Sequence, residues 1–221
     1  MPSDLTRKKL IVFDFDGTLV DSMPGIVAVA RSVMHDHGWS DEELGDMTRL
    51  VGPPFPQAFT AVYGISETEA EQITAEYRSV YANLGRDGWP LFDGMGELLR
   101  DLKAVGRLLG TASSKREFLL ERGLTTNGVR DLFDYPMAKK SDHGDSKEAA
   151  LGRVLAAAGV EPADAVMVGD RRFDAEAASM CGVECVGVLF GHTAPRSELE
   201  GAGCVAVAET VDELRRVLLG N

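Results

Sequence analysis

The sequence alternates short apolar runs with stretches of helical periodicity, and no other feature constrains the fold as strongly. The apolar runs predict strands at residues 10–13, 107–112, 135–138, 165–168, 185–189 and 205–208. Between them, the periodicity predicts helices at about residues 95–105, 115–122 and 146–158, from about 174 onward, and at 210–218. This alternation favours an α/β fold in which a parallel sheet carries helices on both faces.

One long segment, residues 19–88, does not follow the alternation because no run in it favours a strand. Its periodicity predicts helices at residues 25–37, 41–50 and 66–84, and Ser66 with Glu69 three residues later is typical of a helix start. Gly52-Pro53-Pro54 breaks the chain after the second of these helices. We therefore expect a core domain of residues 1–18 and 89–221, interrupted by an all-helical domain of residues 19–88.

The charge balance limits the partners of the chain. The 35 acidic residues exceed the 23 Lys and Arg residues, which gives a net charge of −12. Such a charge disfavours nucleic acid and anionic membranes as partners. A small anionic substrate remains compatible with it, because salt screens distant charges within about 10 Å. We expect a monomer or a homodimer.

The cysteines and the apolar segments predict a cytoplasmic location. Cys181, Cys185 and Cys204 form no CxxC pair, and their odd number favours free thiols in a reducing compartment. Residues 1–10 lack the apolar stretch of a signal peptide. No run in the sequence approaches the roughly 18 apolar residues that span a bilayer.

Three of the predicted strands end in residues that can carry chemistry. The first ends in Asp14-Phe15-Asp16, the second in Ser113-Ser114-Lys115, and the third in Gly169-Asp170, with Asp174 four residues later. Because ligands bind at the carboxyl ends of parallel strands, we expect these side chains to face one crevice. Crowded carboxylates repel one another, and an oxygen-only site without nearby His or Cys favours compensation by Mg²⁺. Helix capping would explain one such Asp, but it explains four of them poorly.

The same residues resemble the motifs of a known family. The segment Asp14-Phe15-Asp16-Gly17-Thr18-Leu19-Val20-Asp21-Ser22 resembles the first motif of the haloacid dehalogenase superfamily in its phosphatase form. Ser113 resembles the second motif, Lys147 the third, and residues 169–174 the fourth. The four motifs occur in the right order and span essentially the whole chain. The resemblance implies a Rossmann-like core, and it makes the helical insert a cap domain.

The resemblance also implies a reaction and assigns roles to residues. Asp14 would attack the phosphorus of a small-molecule phosphate ester and form an aspartyl-phosphate, while Asp16 would act as general acid and base. The implied Mg²⁺ ligands are Asp14, Asp16 through its backbone carbonyl, Asp170, and Asp174 as a direct ligand or an orienting residue. The implied phosphoryl-binding groups are Gly17, Thr18, Ser113, Ser114 and Lys147.

Looser similarities favour one branch of this family. Residues 187–192, 197–203 and 141–147 resemble the phosphoglycolate phosphatase and 5′-nucleotidase-like branch. In that branch a cap segment similar to Gly52, Pro53 and Pro54 faces the active site, so these residues are expected to contact substrate. Two substrate classes stay open, namely small phosphorylated acids or sugars and nucleoside monophosphates.

Other functions use part of the same motif set. A phosphomutase of the β-phosphoglucomutase type would also need Asp14 and Asp16, and it would transfer phosphate without net hydrolysis. A dehalogenase in the strict sense lacks the second Asp and uses no Mg²⁺. A non-catalytic phosphate-binding module would be expected to have lost at least one of the acids. A response-regulator receiver is far shorter and has no helical insert.

Several residues near the motifs allow two interpretations. Lys147 is preferred to Lys139 and Lys140 as the third-motif lysine, and those two are interpreted as a solvated pair. Lys115 is interpreted as a surface residue at a helix start, and a contact with substrate is the alternative. The remaining residues are interpreted as substrate contacts or ion-pair partners of the acidic cluster (Arg171, Arg172), loop residues (His143, His192), and core aromatics rather than a substrate cage (Phe55, Phe59, Tyr63, Tyr77, Tyr81).

Overall fold

Six strands, each parallel to its neighbours, form one sheet in the computed structural model, which describes residues 4–220. They are β1 (Leu10–Phe13), β2 (Leu108–Arg116), β3 (Tyr135–Lys139), β4 (Ala165–Gly169), β5 (Glu184–Val188) and β6 (Ala206–Ala208). Their order across the sheet is β3-β2-β1-β4-β5-β6, which is the Rossmann order and confirms the predicted α/β core. Residues 1–3 and 221 of the predicted core segments lie outside the described residues.

Ten α-helices among the described residues surround or extend this sheet. They are α1 (Met23–Asp36), α2 (Asp41–Leu44), α3 (Gln57–Tyr63), α4 (Glu67–Tyr81), α5 (Met95–Ala104), α6 (Glu117–Thr126), α7 (Lys147–Ala158), α8 (Arg172–Met180), α9 (Arg196–Gly201) and α10 (Val211–Leu219). None of these helices combines the length and the apolar character needed to cross a membrane.

The central strand β1 is apolar throughout because both of its faces are covered. Leu10 and Val12 pack in one hydrophobic cluster with residues of α7 and α8. Ile11 and Phe13 pack in the other cluster, which includes residues of α5, α6 and α10. That second cluster continues into residues of α1, α3 and α4, so the sheet and the helical insert share one apolar core. All four β1 side chains are at most 1% exposed, as a strand inside a parallel sheet requires.

The insert joins the core through two connections that run side by side. The backbone N–H of Asp21 donates to the carbonyl of Pro90 at 2.8 Å, and that of Phe92 donates to Leu19 at 3.2 Å. Val20 and Leu91 form an antiparallel bridge between these hydrogen bonds. The chain therefore leaves the core and returns to it at nearly the same place. Between the two connections the described elements are all helical.

Some element bounds differ from the sequence prediction for local reasons. The helix predicted at 41–50 is interrupted at Gly45, whose φ of 51° ends α2, and a 3₁₀ turn over Met47–Leu50 follows. Helix α3 lies just after the Gly-Pro-Pro break, where no helix was predicted. Strand β2 extends past residue 112 to Arg116, with a register shift between Ser113 and Arg116. The predicted start of α4 is confirmed, because Ser66 Oγ accepts from the N–H of Glu69.

The close approach of Gly25 in α1 to Gly88 predicts a sensitive site at the base of the insert. A Cβ at Gly25 would lie 2.4 Å from the carbonyl oxygen of Gly88, a backbone atom that cannot rotate away. We expect Gly25→Ala to lower the free energy of unfolding by about 1–3 kcal/mol in urea titrations. Gly152→Ala, inside α7 with nothing within 4 Å of its Cβ position, is the control and should stabilise by up to about 1 kcal/mol. Equal stabilities for the two variants would contradict the predicted contact.

Candidate active site

The site is built at the carboxyl end of β1, where the buried strand places Asp14. Its backbone N–H continues the sheet by donating to the carbonyl of Val168 at 2.9 Å. Its side chain is 9% exposed, and Oδ1 accepts from the N–H of Phe15 at 2.7 Å. The strand and this bond fix the carboxylate so that Oδ2 points to the ammonium of Lys147.

A tight turn follows Asp14 and packs against Asp170, just after β4. Gly17 has a φ of 75°, and a Cβ there would lie 2.2 Å from Asp170 Oδ2. Glycine is therefore required both by the backbone conformation and by the close approach. Thr18 Oγ1 donates to Asp170 Oδ1 at 3.0 Å, so the turn also orients this second carboxylate. Gly17 and Thr18 thus lie beside the acidic cluster predicted from the motifs.

Three buried carboxylates and one lysine form the centre of the site. Lys147 Nζ lies 2.8 Å from Asp14 Oδ2 and 2.5 Å from Asp174 Oδ1. Asp174, which is 0% exposed, also accepts from the N–H of Arg171 at 3.0 Å. Asp170 is 2% exposed and has no ion pair among the described residues. The lysine therefore compensates two of the three acids and leaves Asp170 without a cation.

The imbalance changes the protonation of the cluster. Burial, reinforced by the charges of Asp174 and Asp14, raises the pKa of Asp170 to about 8. Burial also raises the pKa of Asp14 to about 6, although Lys147 opposes the rise. Burial alone would lower the pKa of Lys147, but Asp14 and Asp174 outweigh it and hold that pKa above its usual value. Without a further cation, the cluster binds protons near neutral pH.

The three carboxylates fit a divalent cation. One oxygen of each of Asp14, Asp170 and Asp174 lies within 4.8 Å of the other two. All three groups are oxygen donors, and Asp170 lacks any other positive partner among the described residues. Hard divalent cations such as Mg²⁺ and Ca²⁺ prefer such ligands. A bound cation would supply the charge that Lys147 alone does not.

Strand β2 supplies the other polar residues of the site. Ser113 is 1% exposed and lies inside the strand rather than at its end; its Oγ accepts from the N–H of Lys115 at 3.2 Å. The interpretation of Lys115 as a surface residue is wrong, because its side chain is 6% exposed and its Nζ lies 2.8 Å from Asp16 Oδ1. The ammonium lies 4.7 Å from the ring centre of Tyr81, with two further rings nearby. A sequence pattern does not reveal this contact, since Tyr81 belongs to the insert.

The other lysines fall into two environments. Lys147 at the start of α7 reaches the cluster, as preferred from sequence, and neither Lys139 nor Lys140 does. The interpretation of Lys139 and Lys140 as a solvated pair is wrong for Lys139, which is 5% exposed. Lys140 is exposed as expected. Burial lowers the pKa of Lys139, and the charges of Asp142 and Asp145 oppose this shift without cancelling it.

A pocket of about 710 Å³, part of it solvent at the mouth, opens above the cluster. The core residues predicted for the site that line it are Asp14, Asp16, Ser113, Ser114, Lys147 and Asp170, and Gly52, Pro53 and Pro54 line it from the insert. Three insert aromatics that were interpreted as core residues also line the pocket, so each packs in the core and borders the pocket: Phe55, Tyr77 and Tyr81. The sequence analysis assigned no role to Arg78 or Arg116, which line it as well.

The two arginines and two histidines that the sequence left open form no ion pair with the carboxylates of Asp14 or Asp170. Arg171 lines the pocket and pairs with Glu198 at 2.9 Å, while its Nη1 donates to the carbonyl of Val51 in the insert at 2.8 Å. Arg172 donates its N–H to the same Glu198. These contacts replace the expected ion pair with the acidic cluster. His143 and His192 are exposed loop residues, as interpreted from sequence.

Comparison with known proteins identifies relatives over almost the whole chain. The family described as haloacid dehalogenase-like hydrolase matches residues 11–188. Tyrosine-protein kinase PtkA of Mycobacterium tuberculosis is 37% identical over 95% of this chain and 72% of its own length. Phosphoglycolate phosphatase of Synechococcus elongatus is 34% identical over 82% of this chain and 84% of its own length. 5′-Nucleotidase of Pseudomonas aeruginosa is 30% identical over 82% of this chain and 82% of its own length. A predicted phosphatase from Clostridium acetobutylicum has a solved structure with a TM-score of 0.89 and 28% identity, covering 97% of this chain and 99% of that one.

The uncompensated Asp170 predicts a pH-dependent stability in the metal-free protein. Its folded-state pKa of about 8 lies above its ordinary value of 3.8, so its contribution to stability is full below about pH 4 and is lost as the pH rises through 8. In EDTA, Asp170→Asn should therefore raise the Tm more at pH 8.5 than at pH 5, measured by calorimetry. Asp36→Asn, at an exposed position of α1, is the control and should leave the pH dependence unchanged. An equal shift of Tm at both pH values would contradict the prediction.

Proposed function

This chain is a member of the haloacid dehalogenase-like hydrolases and a phosphatase, and on that premise we propose that it is a Mg²⁺-dependent enzyme that hydrolyses a small-molecule phosphate monoester. One observation carries this proposal. The buried carboxylate of Asp14 lines the pocket beside Asp16, while Lys147 and two further carboxylates surround it. A nucleophile, a candidate proton donor and a charge-compensating group thus face the same space.

In this mechanism Asp14 attacks the phosphorus and forms an aspartyl-phosphate, as the alcohol oxygen leaves. Asp16, held by Lys115 at 2.8 Å and 2.9 Å from its two oxygens, donates a proton to that oxygen and later accepts one from the hydrolytic water. Ser113, Lys147 and the backbone N–H groups near Gly17 and Ser114 hold the phosphoryl oxygens. Asp14, Asp170 and Asp174, together with the backbone carbonyl of Asp16, would hold a divalent cation, which would supply charge neutralisation for the phosphoryl group.

The relatives suggest more than one acceptor for the phosphoryl group. Phosphoglycolate phosphatase and 5′-nucleotidase are names of hydrolases of small phosphate esters, and they support the proposal. PtkA carries the name of a tyrosine kinase and is 37% identical, so phosphoryl transfer to tyrosine is a second candidate function. A phosphomutase remains a third. The three differ in the fate of the phosphoryl group, which goes to water, to a protein tyrosine or back to a sugar.

The chemistry can be tested with p-nitrophenyl phosphate after treatment with EDTA. We expect inorganic phosphate to be released when Mg²⁺ is restored, and we expect Asp14→Asn to lower kcat/KM by at least about a thousandfold, since an amide is a poor nucleophile. Asp93→Asn, an exposed position outside the pocket, is the matched control and should retain wild-type activity.

Three outcomes would redirect the proposal. Metal-dependent turnover by Asp14→Asn would remove this residue from the nucleophile role. Transfer of labelled phosphate from ATP to a tyrosine peptide, with no phosphate released from small esters, would favour the kinase function. Interconversion of sugar phosphates without net release would favour the mutase.

A further inference from the structure

A cluster of three cations, called the shelf below, borders the pocket; it consists of Arg78, Arg116 and Lys139 around Asp142, and of the three only the two arginines line the pocket. Arg78 in α4 binds Asp142 with both terminal nitrogens, at 2.7 Å and 2.8 Å. Arg116 at the end of β2 donates to the same carboxylate at 3.0 Å. Asp142 therefore holds two guanidinium groups, one from the insert and one from the core. Both arginines line the pocket, and Asp142 does not.

The shelf carries more positive than negative charge. Lys139 is the register partner of Arg116 on the neighbouring strand and has no ion pair within 4 Å among the described residues. The nearby Asp145 is neutralised by Arg153 at 2.9 Å. Three cations thus surround Asp142, the one nearby carboxylate that Arg153 does not neutralise, in a chain whose net charge is −12. A local excess of this kind is costly to bury unless an anion compensates it.

The donors of Arg116 are not saturated. Asp142 takes one bond from Nη1, and the buried Nε has no hydrogen-bond partner. A guanidinium that one carboxylate positions but does not saturate can donate hydrogen bonds to a second carboxylate. A second phosphate would bring a larger negative charge next to Asp142, so the arrangement favours a carboxylate.

The position of the shelf limits the size of the ligand. Arg116 follows Ser113 by three residues on the same strand, which is about 10 Å along an extended chain and less across the register shift. Its long side chain spans part of that distance. An anionic group one to three carbons from the phosphoryl oxygen can therefore reach it, whereas the base of a nucleotide is neutral and much larger.

We propose that Arg116 and Arg78 bind a carboxylate on the leaving group, so that the substrate is the phosphate ester of a small hydroxy acid. This inference rests on the proposed phosphatase function and narrows its substrate class. Because Arg78 comes from the insert and Arg116 from the core, a substrate carboxylate would also strengthen the contact between the two parts. Recognition of the acid and closure of the pocket are then one event.

A matched pair of substrates tests this subsite. 2-Phosphoglycolate and 2-hydroxyethyl phosphate differ in the carboxylate that one of them carries in place of a neutral hydroxymethyl group. The measured quantity is the ratio of their kcat/KM values, with the acid in the numerator. We expect Arg116→Gln and Arg78→Gln each to lower this ratio about 10- to 100-fold, the effect of losing a hydrogen bond to a charged group. Arg116→Lys keeps the positive charge but loses the planar pair of donors, and it should lower the ratio less than Arg116→Gln does.

Arg49→Gln, at an exposed insert position outside the pocket, is the control and should leave the ratio unchanged. A wild-type ratio at or below one, or a ratio that survives in folded Arg116→Gln and Arg116→Lys, would overturn the subsite. If p-nitrophenyl phosphate is still hydrolysed with Mg²⁺ in that case, the phosphatase function stands and only the carboxylate assignment fails. If wild type hydrolyses none of the three esters, both proposals fail.

Discussion

The contact of Lys147 with Asp14 and Asp174 makes the rest of the site possible. Burying several carboxylates carries a large desolvation penalty, and one lysine between two of them offsets part of it. Everything else at the centre follows from this arrangement. The turn at Gly17 presses against Asp170, and Asp174 is held by the backbone of Arg171. Asp170 is the acid of the three that this lysine leaves without an ion pair among the described residues.

The sequence predicted the sheet and the acidic cluster well because both depend on local patterns. An apolar run such as residues 10–13 is sufficient to indicate a buried strand, and parallel strands bring their carboxyl ends to one edge. Asp14 and Asp170 could therefore be placed together although they lie far apart in the sequence. Lys147 was identified because it opens a helix after a loop, a feature that is also local.

The polar residues on the insert side could not be found in this way. Lys115 and Lys139 are charged residues near strand ends, and charge normally indicates solvent. The ammonium of Lys115 lies over the ring of Tyr81, and the charge of Arg78 acts on Lys139; the fold brings both of these residues from the insert. The extension of β2 to Arg116 requires a register shift that no periodicity indicates. Contacts between distant segments decide these environments, and one sequence does not show them.

The side-by-side connections of the insert have a consequence for how such proteins diversify. Because the outgoing chain at Asp21 and the returning chain at Pro90 are hydrogen-bonded neighbours, the insert leaves and re-enters the core at one short ladder. Segments whose ends meet can be exchanged, lengthened or deleted with little effect on the domain that carries them. A change in the length of the insert therefore need not alter the order of the strands in the sheet.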